Sequence, residues 1–433
     1  MSLNSNDSDA KAAASKGPVA SKSPVASKTP AASRGFDLDS HLTGAVRGGM
    51  HADPATGAVL TPIYQSTTYR QDAVGVHKGH TYSRASNPTV SALEEALGAL
   101  EDTPPAICFA TGMAAISAIF LALLKAGDHV VLSDVVYGGT VRLFDQVLGH
   151  FGVEASFVDT ADPEAVKGAI KPSTRMVFVE TPANPTLKLT DVAAIADITR
   201  AADLRLVVDN TFLTPLLLRP LDLGADITML STTKYIEGHN ATVGGSIASR
   251  DEGILDRLRL IRKTLGSIQS PHEAWLTARG IKTLPLRLQQ HSRGAQVVAE
   301  WLEQHPDVSR VYYPGLASFP QRELAERQHA LHGGMLSFEL KQGAEAGIAL
   351  MNAVRLCVLA ENLGAAETLI THPVSMTHGD VPREMRERIG ITDGLVRLSV
   401  GLESPRDIIA DLSQALDVAR SSEPVAAYSS TTR

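Results

Sequence analysis

The feature that most constrains this chain is a rhythm that begins near Ala106. Short apolar runs alternate with stretches patterned as helices: AICFA leads to TGMAAISAIFLALL, HVVLSD to TVRLFDQVL, and RMVFVE to DVAAIADITRAA, after which come LRLVVDN and ADITMLS. Runs of four to six apolar residues separated by helices read as buried parallel strands with crossovers. The fold class expected is therefore α/β, with a mostly parallel open sheet. Ligands of such a sheet bind at the carboxyl ends of its strands, so the residues just past each run are those to inspect.

After about Gly280 the character shifts. A long helix is expected to begin after Pro285, then strands at VSRVYYPG, GGMLSFEL and LVRLSVGLE. Ser404, Pro405 and Asp407 are helix-start signals for IIADLSQALDVAR. This region reads as a smaller α+β domain. The length of 433 residues suits two to three domains. The boundaries expected are 86–284 for the large α/β domain and 285–420 for the smaller one.

The N-terminus differs from the rest. Residues 14–35 repeat a hexad of Ala, Ser, Lys and Pro, in which each proline forbids a continuous helix and nothing could build a core. Residues 1–35 carry Lys11, Lys16, Lys22, Lys28 and Arg34 against Asp7 and Asp9, net +3, and leave −10 for the remainder. A solvated tail is expected over 1–35, in preference to a transit peptide, which would be Arg-rich and amphipathic. A second disordered tail is expected over 421–433.

The net charge of −7 gives no reason to expect nucleic acid or an anionic membrane as partner. The longest apolar run, Ala114 to Leu124, is far short of a membrane helix. Cys108 and Cys357 stand far apart in apolar contexts, which suits a reducing, cytoplasmic compartment and no disulfide framework. His77 with His80 and His372 with His378 match no zinc spacing, so no metal is expected.

Three strand ends carry chemistry. Ala110-Thr111-Gly112-Met113 joins a strand to a helix N-terminus, where free N–H groups and a glycine can admit a phosphate; plain turn chemistry is the alternative. Asp209 closes LRLVVDN, as a helix cap, a structural hydrogen bond or a functional carboxylate. Lys234 follows ITML within STTKY. A lysine whose stem packs in an apolar wall loses basicity and becomes an amine able to form a Schiff base, whereas a snorkelling surface lysine does not. Ser231, Thr232 and Thr233 beside it can help to hold a phosphate. An aldehyde-reactive lysine, a phosphate cradle and a carboxylate for a protonated ring nitrogen together describe pyridoxal 5'-phosphate. Tyr137, in DVVYGGT, could stack on its ring and act as an acid or base.

The runs VVDNTF, LGADITMLSTTKY, YSRASNPT, ETPANPT, RGIKTLPLR and LVRLSVGLE resemble the Cys/Met-metabolism (trans-sulfuration) family of fold-type I pyridoxal phosphate enzymes. The resemblance covers about Leu42 to Arg420 and is nearest to the cystathionine γ-synthases and γ-lyases. It implies that Lys234 bonds the cofactor aldehyde and that Asp209 pairs with the pyridine nitrogen. Gly112, Met113, Ser231 and Thr233 would hold the phosphate, Tyr137 would stack, and Asn184 would contact the ring hydroxyl. Residues 36–85 would form an arm from which Tyr82 and Arg84 reach the phosphate of a neighbouring subunit, in a homotetramer built as a dimer of dimers. Arg397 would grip the substrate α-carboxylate. The implied chemistry is γ-elimination or γ-replacement on cystathionine or an O-acyl-homoserine, with Lys234 moving protons and Tyr137 assisting.

The discriminating positions point several ways. Methionine γ-lyases place a cysteine where this chain has Gly139. LAENLG (Leu359 to Gly364) resembles the LAESLG of the cystathionine enzymes, with Glu361 matching a glutamate for the distal amino group. Asn362 replaces the serine of that motif, as it often does in homoserine sulfhydrylases, and Asn240 and Ala241 depart from the usual GHSDV. An O-succinyl- or O-acetylhomoserine sulfhydrylase and a methionine γ-lyase are the alternatives within the family. A pyridoxal-phosphate-binding protein without turnover is the alternative outside it, opposed by the intact set Lys234, Tyr137, Asp209 and Arg397.

Overall fold

The structure, a computed structural model, describes residues 37–377, 379 and 383–421. The tail expected at 1–35 lies outside the described residues, as does His378; of the tail expected at 421–433 only Ser421 is described, and it ends the last helix instead.

Among the described residues the strands form two sheets. The first contains β1 (Ile107–Phe109), β2 (His129–Ser133), β3 (Glu154–Val158), β4 (Thr174–Glu180), β5 (Arg205–Asp209), β6 (Ile227–Leu230) and β7 (Gly245–Ser249), in the order β1-β7-β6-β5-β4-β2-β3. Strands β2 to β6 pair in parallel, as the rhythm of runs predicts. β7 pairs antiparallel with both β6 and β1. The reason lies in the connection: β6 reaches β7 through residues 231–244 without a crossover helix, so the chain must turn back. β1 therefore runs in the same sense as β2–β6, and its carboxyl end stays on the edge where theirs emerge.

The long apolar runs are explained by burial on both faces. Val130, Leu132, Met176, Phe178 and Val207 pack to one side with Phe120 of the helix Gly112–Leu123. Val131, Val177, Val179, Leu206 and Val208 pack to the other with Val192 and Ile195 of the helix Val192–Ala201. Each fully buried side chain of this size contributes about 1.5–3 kcal/mol. Two strands of this sheet are absent from the sequence reading because they lack such runs. β3 sits at the sheet edge with no fully buried residue, and β7 is built of GSIAS, mostly small residues.

The second sheet contains β8 (Val308–Tyr312), β9 (Met335–Leu340), β10 (Val358–Leu359), β11 (Leu369–Thr371) and β12 (Leu395–Ser399), in the order β10-β11-β12-β9-β8. β10 pairs in parallel with β11, and the other pairs are antiparallel. Leu336 and Phe338 of β9 and Val396 and Leu398 of β12 bury against Val298 and Leu302 of the helix Leu284–Glu303 and Ile408 and Leu412 of the helix Pro405–Ser421. The first of these helices starts at Leu284 rather than after Pro285. The proline lies in the first turn, where its missing N–H leaves no helical bond unmade. The last helix starts at Pro405, as its start signals predict.

Candidate active site

The carboxyl edge of the parallel strands gathers most of the residues singled out by the sequence. Just past β1, Thr111 caps the helix Gly112–Leu123 by accepting from the Ala114 amide at 3.0 Å. The amides of Gly112 and Met113 have no acceptor among the described residues, as expected of a first helical turn. Gly112 lies directly against Ser231: a Cβ at Gly112 would stand 2.9 Å from Ser231 Cβ. Only a glycine at 112 lets the start of this helix lie so close to the Ser231 hydroxyl, which would stand 3.0 Å from a Cβ there. A helix N-terminus, a hydroxyl and a close-approach glycine are what a phosphate monoester needs. Thr233, also assigned to the phosphate, already accepts from the Gly244 amide through Oγ1 at 3.0 Å. Its O–H donates to Gly244 O at 3.3 Å, a long bond that the proton would leave to reach a phosphate oxygen.

Asp209 ends β5 and is buried. Its Oδ1 accepts from the amide of Thr211 at 3.0 Å and from the Thr211 hydroxyl at 2.6 Å. Burial pushes the Asp209 carboxyl up to about 6, against the pull of the two Thr211 hydrogen bonds. Beside it in register stands Glu180, the last residue of β4, also buried. Glu180 accepts from the Tyr137 amide at 2.7 Å and from the Asn184 amide at 3.3 Å. Burial, and then the neighbouring Asp209 charge, push the Glu180 carboxyl well above the ordinary carboxylate range. Two adjacent buried acids do not both ionise easily, so Asp209 takes the charge and Glu180 keeps its proton. Asp209 is thereby suited to pair with a cationic ring nitrogen, and Glu180 holds the backbone amides of Tyr137 and Asn184.

Tyr137 is half exposed, at the start of the helix Gly138–Gln146. A Cβ at Gly139 would fall 2.6 Å from Tyr137 Cε1 and 2.8 Å from Met113 Sδ. The tyrosine ring therefore occupies the space that a cysteine at 139 would need.

Lys234 lies past β6, in a loop whose carbonyls are tied down from the second sheet's side of the molecule. Arg287, buried in the helix Leu284–Glu303, donates to Tyr235 O at 2.7 Å, to Ile236 O at 3.3 Å and to Gly280 O at 2.8 Å. Burial, and secondly the Arg397 charge, lower the Lys234 ammonium to about 8. Its Nζ donates to Asn362 Oδ1 at 2.5 Å.

Arg397 on β12 is buried and closes the other side. It donates to Asn184 Oδ1, to Asn362 O and to Thr371 Oγ1, each at 3.1 Å, while its Nε has no partner. Burial lowers it to about 10, and the charge of exposed Glu361 pulls it back upward. A buried guanidinium at that value is still fully charged at neutral pH.

Tyr82 and Arg84 are exposed and are not brought to this group within one chain. Arg84 stacks over Tyr82 at 5.4 Å and donates to Lys263 O, near the end of the helix Glu252–Leu265, at 2.6 Å. Three contributors escaped the sequence reading. Glu180 had the same signal as Asp209, an acid closing a buried run. Arg287 stands inside the quoted RGIKTLPLR, and Thr211 inside VVDNTF. No group of three or more His, Cys, Asp or Glu side chains is placed to hold a metal ion among the described residues.

Comparison with known proteins agrees with this chemistry. Residues 42–417 match the model of a family described as Cys/Met metabolism PLP-dependent enzyme. A cystathionine gamma-lyase of Bacillus subtilis (strain 168) is 46% identical over 373 residues, 86% of this chain and 98% of that protein. A cystathionine beta-lyase of Coxiella burnetii is 44% identical over 380 residues, covering 87% and 98%. An L-methionine gamma-lyase of Porphyromonas gingivalis is 46% identical over 385 residues, covering 87% and 96%. Among solved structures, cystathionine gamma-lyase from Lactobacillus plantarum complexed with L-serine superposes with a TM-score of 0.85 at 41% identity, covering 88% of this chain and 99% of that one.

Proposed function

The chain belongs to the Cys/Met metabolism family of PLP-dependent enzymes, and from that premise we propose that it breaks the γ carbon–sulfur bond of cystathionine, or forms it from an O-acyl-homoserine. It is a carbon–sulfur lyase of the pyridoxal 5'-phosphate class, with the fold-type I architecture of its relatives. When bound, the cofactor withdraws electrons from the substrate amino acid, so that protons on Cα and Cβ become removable.

The residues of this chain then have separate tasks. Gly112, Met113, Ser231 and Thr233 hold the phosphate, and Asp209 holds the ring nitrogen charged. Tyr137 covers the ring, with its backbone fixed by Glu180. Arg397 receives the substrate α-carboxylate, for which a planar guanidinium is the natural partner. Lys234 takes the Cα proton and carries protons between carbons, which its lowered basicity permits near neutral pH. Elimination with water gives cysteine, 2-oxobutanoate and ammonia.

What supports the γ reading is the exposed Glu361 carboxylate, whose charge acts on the buried Arg397 guanidinium. An amino acid bound by its α-carboxylate at Arg397 can then place a distal ammonium at Glu361, and cystathionine has that second ammonium. Asn362 favours a second reading, a homoserine sulfhydrylase. The test is a substrate panel: cystathionine alone, then O-acyl-homoserine with cysteine, then with sulfide. Release of 2-oxobutanoate and cysteine from cystathionine, or its synthesis from O-acyl-homoserine and cysteine, is expected. Turnover with sulfide alone would replace this reading by the sulfhydrylase. Release of pyruvate and homocysteine from cystathionine would replace it by β-chemistry. We also propose the division at 86–284 and 285–420, and assembly through the arm that carries Tyr82 and Arg84.

A further inference from the structure

Two asparagines far apart in sequence join Lys234 to a surface carboxylate in single file. Lys234 Nζ donates to Asn362 Oδ1 at 2.5 Å, Asn362 Nδ2 donates to Asn240 Oδ1 at 2.7 Å, and Asn240 Nδ2 donates to Glu367 Oε2 at 3.0 Å. An amide can present its oxygen or its nitrogen to a neighbour, so Asn362 alone does not decide which end faces the lysine. A protonated lysine demands an oxygen, but a neutral amine can accept as well as donate. Glu367 settles the matter from the far end, because an ionised carboxylate only accepts. It turns the Asn240 nitrogen outward, which turns the Asn240 oxygen toward Asn362, which turns the Asn362 oxygen toward Lys234.

The two loops that carry the chain are laced together, so the file is not an accident of mobile side chains. The Ala366 amide donates to Gly238 O at 2.9 Å. Buried Glu237 accepts from the amides of His239 at 2.9 Å and Ala241 at 3.2 Å, which fixes the turn on either side of Asn240. Asn240 itself takes φ 55°, the left-handed region that asparagine tolerates better than most residues.

We propose that Glu367, Asn240 and Asn362 form a polarity-setting chain that holds an acceptor against Lys234 when its amine is free, pinning one N–H and leaving the lone pair to take a proton. Asn240 and Glu367 act through Asn362 and are positioning residues. The proposal rests on the reading of Lys234 as the cofactor-binding and proton-moving group. The other charged groups around it are Arg397 on β12, Glu361 on the loop of Asn362, Glu237 with His239 on the loop of Asn240, and Asp209 with protonated Glu180 at the ends of β5 and β4. Glu403 receives the Thr368 amide next to Glu367. None of these other groups stands in the file.

The test measures the titration of Lys234 in the full-length protein freed of cofactor, by competitive acetylation across pH with mass spectrometry of the Lys234 peptide. Three variants are compared with wild type: Asn240→Ala, Glu367→Lys, and the two combined. A lysine at 367 only donates, so it reverses the chain and turns the Asn362 nitrogen toward Lys234. The Glu367→Lys midpoint should fall by about one pH unit with Asn240 present, and by less than about half as much once Asn240 is alanine. Asn240→Ala alone should lower it by about half a unit. Equal shifts in the two backgrounds would reduce the effect to charge through space and overturn the proposal, as would no shift at all. Glu367 is exposed, so its replacement leaves the fold intact should the Asn240 variant fail to fold. Borohydride fixation of the cofactor is scored on every sample. Wild type that fixes nothing on Lys234 sinks the underlying reading, whereas fixation with unmoved midpoints sinks the chain alone.

Discussion

At the scale of single residues, two titrations carry the argument. The Lys234 amine is lowered to about 8 by burial and then by Arg397. At pH 8 about half of it is neutral, against roughly one in three hundred for a lysine of ordinary basicity. A base lowered in this way gains its free amine as pH rises, so acetylation of Lys234 in the cofactor-free protein should climb with a midpoint near 8. A midpoint near 10 would mean that the lysine is not desolvated as described. Asp209 moves the opposite way, up to about 6. An acid so raised loses its charge as pH falls through that value, and with the charge goes its pairing to a ring cation. Cofactor affinity, followed by fluorescence quenching, should therefore drop below about pH 6 in the wild type. Asp209→Asn should bind at least ~10-fold more weakly at pH 8, with little dependence on pH. Equal affinity in the variant would remove Asp209 from the ring nitrogen.

At the scale of elements, the site is a set of strand ends held from behind. Gly112→Ala places a Cβ 2.9 Å from Ser231 Cβ, forcing the helix N-terminus and the β6 end apart. Its cofactor dissociation constant should rise more than that of Ser231→Ala, which removes one hydroxyl and adds no clash. Arg287→Ala would leave the carbonyls of Tyr235, Ile236 and Gly280 short of their donor. Leaving buried acceptors unpaired costs about 2–4 kcal/mol here, readable by denaturant unfolding. The runs ending at Glu180 and Asp209, and the one before STTKY, announce their strands because those strands are buried on both faces. β3 and β7 do not, since an edge strand and a strand of small residues carry no apolar run. The same limit applies to side chains. Lys234 and Asp209 stand out by type and place, whereas the file from Lys234 to Glu367 depends on two loops 122 residues apart meeting, which no local pattern encodes.

At the scale of the whole molecule, the unplaced pair is Tyr82 and Arg84. If they serve a neighbouring subunit, mixing Lys234→Ala with Arg84→Ala protein under conditions of subunit exchange creates some sites with both groups intact. Activity should recover to roughly a quarter of wild type. If Arg84 served its own chain, every mixed site would lack one group and nothing would return. Among the described residues no helix is long and apolar enough to cross a membrane. The site itself lies where the carboxyl ends of β1, β2, β4, β5 and β6 face β12 of the other sheet, and its chemistry turns on one lysine at that meeting. Reduction of the protein with borohydride after incubation with pyridoxal 5'-phosphate, followed by peptide mapping, tests it most directly. One pyridoxyl group per chain, on Lys234, is expected. Fixation on another lysine, or none, would contradict it.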